Sequence, residues 1–89
     1  MSQFANDGRA IRDNAKALVL RFFQSSALCQ PGAEGIRLAR ISRDCGLEWG
    51  NYPKATSSNQ QYWVVALVGE LEAEGRVERV SESGPWRLR

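Results

Sequence analysis

The chain has 89 residues, 43% of them hydrophobic and 25% charged, with a net charge of +2 at neutral pH. That is room for one domain of ordinary globular composition, too apolar for a disordered chain and too short to bury a large core. There is no histidine, which removes imidazole ligands and the commonest general base. The two cysteines, Cys29 and Cys45, have no metal-type spacing and are too few to staple a secreted fold.

No signal-like or long apolar segment occurs, so a cytoplasmic setting with reduced thiols is expected, with no membrane association. A single Cys29–Cys45 bridge is the minority alternative. Residues 1–54 hold eight basic and five acidic side chains, whereas 55–89 hold four and five. An electropositive surface therefore needs the first half of the chain to meet the C-terminal arginines in space.

In chain order, residues 1–8 read as a flexible leader, with Phe4 tucked onto the domain that spans 9–89. Asn6 or Asp7 can cap a first helix reaching about Ala27. Ile11, Ala15, Leu18 and Phe22, spaced four, three and four apart, predict its buried stripe, widened by Val19. Leu20 and Phe23 lie off the centre of that stripe, on the side of Lys16. Either flanking elements cover them or they form a helix-to-helix dimer contact.

The run Gln30-Pro31-Gly32-Ala33-Glu34-Gly35 breaks the helix. Ile36-Arg37-Leu38 alternates like a very short strand. A second helix follows over about Ala39–Cys45, with Leu38, Ile41 and Cys45 inward, Gly46 as left-handed cap and Leu47 closing it. Arg37, Arg40 and Arg43 form a basic edge that is either a solvated face or a contact surface. Residues 48–56 form a loop in which Trp49 and Tyr52 either plug the gap between helices or join Lys54 against a nucleic acid.

The polar stretch Ser57-Ser58-Asn59-Gln60-Gln61 opens a third helix, predicted over about Ser58–Glu74. Val64, Leu67, Val68 and Leu71 make its buried stripe. Ser58, Asn59, Tyr62, Ala66, Gly69 and Ala73 fall on the opposite face. Gly69 costs about 1 kcal/mol relative to alanine inside a helix, which fits a site of close backbone approach. The helix stops at Gly75 and a hairpin follows. In the hairpin Trp86 and Leu88 face inward and Arg87 and Arg89 outward, and the first strand ends or bulges near Arg79.

Helix, short strand, helix, loop, helix and hairpin is an α+β, mainly α, order that resembles the winged helix-turn-helix superfamily. The residues carrying the resemblance are Ile36 to Leu47, similar to the first strand and first motif helix, and Leu67 to Arg79, similar to the end of a recognition helix and the start of a wing. Two features depart from the usual pattern. The loop from Leu47 to Ser57 is long, and the third helix has no Lys or Arg but carries Glu70, Glu72 and Glu74.

The resemblance implies a binding protein that is not an enzyme and needs no cofactor, with double-stranded DNA as partner. It would be a transcriptional regulator or a nucleoid or mobile-element accessory factor. Ser58, Asn59, Gln61 and Tyr62 would meet base edges in the major groove, with Arg40, Arg43 and Lys54 flanking them. Arg76, Arg79 and Arg87 would reach the backbone from the wing. Leu20, Phe23, Phe4 or the small-sided strip Ala66, Gly69 and Ala73 are the candidate homodimer contacts. The same fold also serves protein–protein contacts, and a module that binds protein without intrinsic DNA binding is the alternative.

Overall fold

The computed structural model describes residues 2–48, 62–82 and 84–89, with Tyr62 described through its backbone only. Three helices and a two-stranded antiparallel sheet occupy these residues: α1 Gln3–Ser25, α2 Leu38–Asp44, α3 Tyr62–Ala73, β1 Val77–Arg79 and β2 Trp86–Leu88. A 3-10 turn, Ala27–Cys29, follows α1. The α+β, mainly α, class expected from the sequence is therefore observed.

α1 starts earlier than Asn6 or Asp7. Ser2 caps it, its hydroxyl accepting from the Phe4 and Ala5 amides at 3.0 and 3.4 Å, so the expected leader is helical from Gln3. With the serine hydroxyl satisfying the first free N–H groups, Asn6 and Asp7 fall inside the helix. At the other end Gln30 closes the helix. Its side-chain amide donates to the carbonyls of Phe23, Gln24 and Ser26.

The rotation of α1 also differs from the sequence expectation. Ala15, Val19 and Phe23 are buried, whereas Ile11 is 65% exposed, Leu18 and Phe22 are half-buried and Phe4 is 87% exposed rather than tucked in. At 100° per residue the two stripes differ by about 70°. Lys16 sits on the edge that is turned inward. It lies beside Val19 and Phe23 on the helix wheel, and its ammonium donates to Glu70 at 3.0 Å and to Glu74 at 2.7 Å on α3. Turning that edge toward α3 carries Phe23 into the core and Ile11 out of it.

Ile36 makes one bridge to Trp86 instead of a strand over 36–38. Each amide donates to the other's carbonyl at 2.9 Å, and Leu38 already begins α2. α2 ends as expected at Gly46, whose φ is 70°. Gly46 N–H donates to the Arg43 carbonyl and Leu47 N–H to that of Ser42, a Schellman closure. α3 stops by the same device, with Gly75 at φ 77°, Gly75 N–H on Glu72 and Arg76 N–H on Leu71.

The core joins Ala15, Val19 and Phe23 of α1 to Val64, Leu67, Val68 and Leu71 of α3, with Cys29, Ile36, Ile41, Val77 and Trp86 completing it. The α3 stripe is as expected. Trp63 Nε1 donates to the Leu47 carbonyl at 3.1 Å, tying α3 to the end of α2. β1 and β2 pair with Val77 opposite Leu88 and Arg79 opposite Trp86, and β1 ends at Arg79. Val80 N–H then donates to the Pro85 carbonyl across the turn, which contains a cis Gly84–Pro85 peptide.

Gly35 has φ 83°, and a Cβ there would sit 2.8 Å from the Trp86 carbonyl oxygen. Gly46 has a similar φ but open space around it. Urea unfolding should therefore rank the alanine variants. Gly46→Ala is expected to cost about 1–2 kcal/mol from the left-handed backbone alone. Gly35→Ala should cost at least about 1 kcal/mol more, because the clash with backbone adds to it. Gly69→Ala, with nothing within 4 Å of the new Cβ, should stabilise by roughly 0.5–1 kcal/mol. Equal costs at Gly35 and Gly46 would contradict the close approach to Trp86.

Candidate functional site

The outer face of α3 presents Val65, Ala66, Gly69, Glu72 and Ala73, all exposed. Beside it, Leu38, Val65, Gly69, Glu72, Arg79, Gly84 and Trp86 line a cleft of about 190 Å³ between α3 and the hairpin. Arg79 stands at its lip. Its guanidinium lies 5.0 Å over the Trp86 ring and donates to the Glu82 carbonyl at 2.7 Å. A cation stacked on an indole and hydrogen-bonded to the hairpin tip is held in one place while staying exposed.

The other hairpin arginines behave differently. Arg87 was expected on an outward basic face, but its Nε donates to Glu78 at 2.8 Å and its Nη1 to the Ala33 carbonyl at 2.7 Å. Only 23% of its side chain is exposed. Cross-strand pairing with Glu78 and the carbonyl of the 30–35 turn hold it inward, so it is a structural clamp. Arg76 pairs with Glu74 at 3.3 Å at the end of α3.

On α2, Arg40 pairs with Asp44 at 3.2 Å, one turn away. Arg37 and Arg43 are exposed and make no ion pair with a described residue. The three arginines border a shallow cleft of about 380 Å³ with Glu34, Gly35 and Ile36. Lys54, Ser58, Asn59 and Gln61 lie outside the described residues, as do Trp49, Tyr52 and the side chain of Tyr62.

Of the expected dimer contacts, Phe23 is fully buried in its own core and is removed from the set. Leu20 is half-buried and packs against that core, beside Asp13, Lys16, Leu71, Glu74 and Arg76. Gly69 is exposed, and among the described residues a Cβ there would meet nothing within 4 Å.

The Lys16–Glu70–Glu74 cluster was not singled out in the sequence, although glutamates four apart on one helix and a lysine in an apolar stretch of another are its signal. Hydrogen bonds to Glu74 and then Glu70 push the Lys16 ammonium above its ordinary value, and the bond from Lys16 holds the Glu74 carboxyl below its own. Arg12 adds a longer contact to Glu70 at 4.0 Å. The acidic half of α3 is thereby largely neutralised from within the chain.

Both cysteines are free. Burial pushes the Cys45 thiol up to about 11, with Asp44 and Cys29 adding to it, and burial raises Cys29 as well. Neither is activated as a thiolate nucleophile. Among the described residues no three Cys, Asp or Glu side chains converge as metal ligands, and no helix is long and apolar enough to cross a membrane. Turned outward are guanidinium groups on α2 and at the cleft, and a small-sided helix face. The chain matches no family model, no curated protein and no solved structure.

The Lys16 cluster has a defined pH signature. The raised Lys16 value stabilises the fold below the ordinary lysine range, about 10.4, and the gain is lost as pH rises through the folded value. The lowered Glu74 value stabilises the fold above the ordinary glutamate range, about 4.3, and the gain is lost as pH falls through the folded value. Urea midpoints should therefore fall at both extremes in the native chain and less steeply in Lys16→Met. The difference should shrink in high salt, because the groups are partly exposed. Identical pH profiles for the two proteins would contradict the assignment.

Proposed function

We propose that the chain is a small winged-helix protein that binds duplex DNA, with the start of α3 directed into the major groove and the β1–β2 hairpin acting as the wing. The observation that carries this reading is Arg79, fixed on Trp86 at the lip of the α3 cleft. The exposed Arg37 and Arg43 on α2 support it, since neither is neutralised by a described carboxylate. Guanidinium groups in fixed positions suit phosphate oxygens.

In this reading Ser58, Asn59, Gln61 and Tyr62 meet base edges, where Asn and Gln side chains offer adenine a donor and an acceptor together. Lys54, Arg37, Arg43 and Arg79 take phosphates, and Arg40 joins them by leaving Asp44. The acidic residues of α3 are compatible with such a surface. Glu70 and Glu74 are engaged by Lys16, Arg12 and Arg76, leaving Glu72 as the outward carboxylate. Glu72 lines the same cleft as Arg79 and opposes a phosphate there, so contact is confined to the first turn of the helix and the hairpin side of the cleft.

A second reading draws on the outer face of α3. Val65, Ala66, Gly69 and Ala73 form a small, uncharged strip beside the cleft, which suits close packing of a protein partner. Binding to protein instead of DNA would use that strip and leave the arginines idle.

Fluorescence anisotropy with a random duplex separates the two. Neutralising about five phosphates gives a slope of about −4 to −5 for log affinity against log salt. Arg43→Ala and Arg79→Ala should each lower that slope by about 1, because each removes one phosphate contact. Arg87→Ala should reduce stability and leave the slope unchanged. Absence of binding at about 100 μM protein in low salt would be weaker than ordinary non-specific association and would exclude the DNA reading. Loss of a protein partner on Gly69→Leu, with the arginine variants neutral, would favour the second.

A further inference from the structure

α1 carries a second apolar stripe that its own domain covers only in part, Ala15 alone of it being buried in the core. Residues 2–14 are all exposed, including Phe4 and Ile11, so the first half of the helix makes no part of the core. Phe4, Gly8, Ile11, Ala15, Leu18 and Phe22 follow one another at alternating spacings of four and three. That is the seam of a two-stranded coiled coil. Its second half is a shallow groove of about 340 Å³ lined by Leu18, Arg21, Phe22, Ser25, Asp44 and Cys45.

We propose that this seam pairs with a second copy of the chain, the two α1 helices lying antiparallel. Reversed on itself, the stripe is self-complementary. Phe4 falls against the partner's Phe22, Gly8 against the partner's Leu18, and Ile11 against the partner's Ala15. Two of the three kinds of layer pair a large side chain with a small one, as close packing requires. Asp7 on one flank falls beside the partner's Arg21, and the two-fold axis makes that pair twice.

A parallel pairing would stack Gly8 on Gly8 and Ala15 on Ala15, leaving two layers unfilled. Gly8 gains a reason in the antiparallel arrangement. It is exposed within a helix, where glycine is unfavourable, and a Cβ there meets nothing in its own chain. Opposite Leu18 its missing side chain makes room. Arg12, on the other flank, reaches toward Glu70 of its own chain at 4.0 Å, which moderates its approach to the partner's Arg12. The exposed half of each helix thus covers the half-buried groove of the other. This association does not depend on what the chain binds.

Sedimentation equilibrium across about 10–500 μM tests it, since mass action makes such a dimer concentration-dependent. The native chain is expected to approach dimer mass over this range. Ile11→Asp should weaken association at least about tenfold while leaving the helical circular dichroism nearly unchanged, and the thermal midpoint nearly unchanged at dilutions where both proteins are monomeric, because Ile11 is outside the core. Asp7→Arg should weaken it about fivefold, and Asp7→Arg combined with Arg21→Asp should restore it. A native chain that stays monomeric, a dimer indifferent to Ile11→Asp, or a charge exchange that does not restore association would each overturn the proposal.

Discussion

The position of the C-terminal hairpin depends on Trp86. A hairpin of two three-residue strands is too small to hold itself in water. Trp86 anchors it in three ways. Its backbone exchanges both hydrogen bonds with Ile36, its side chain is buried against the helices, and its ring carries the Arg79 guanidinium. The approach is close enough that residue 35 has no room for a side chain. The segment between α1 and α2 is thereby tied to the last strand, and Leu88 and Val77 follow Trp86 onto the core.

The charges are arranged around that anchor. Arg87, one residue on, points to Glu78 and the Ala33 carbonyl and adds a second tie between the hairpin and the 30–35 turn. Lys16 holds Glu70 and Glu74 against α1. Most charged groups near the core are therefore spent on holding elements together. Arg37, Arg43 and Arg79 remain turned outward, as do Arg9, Arg21 and Arg89.

Much of the fold was legible where one signal acted alone. The α3 stripe had no competing phase, and Gly46 and Gly75 were each the sole left-handed candidate at a helix end. β1 ended at Arg79 because Val77 and Val80 cannot share a face. α1 was harder, because apolar residues at 15, 18, 19, 20, 22 and 23 fill a wide arc. Which part faced inward was settled by packing against α3, whose Glu70 and Glu74, 54 and 58 positions away, meet Lys16 on the same edge. The expected strand at Ile36 shrank to one bridge because Leu38 was drawn into α2. Arg87 alternated as an outward residue should, and sequence could not reveal the carbonyl waiting at Ala33. Of the expected contact residues, Arg40, Arg43, Arg76 and Arg79 are exposed, Arg87 is withdrawn, and the polar stretch expected to open the third helix lies outside the described residues.

The account turns on the hairpin being a fixed part of the helical body, so that Arg79 keeps its place beside α3. Native-state hydrogen exchange of the Ile36 and Trp86 amides reads this directly. Both should exchange only through global unfolding, with protection equal to that of the buried α3 amides at Val68 and Leu71. Exchange of the Ile36 and Trp86 amides through a much cheaper local opening, while α3 stays protected, would contradict it. The hairpin would then be a loosely hinged arm, and Arg79 would have no fixed position.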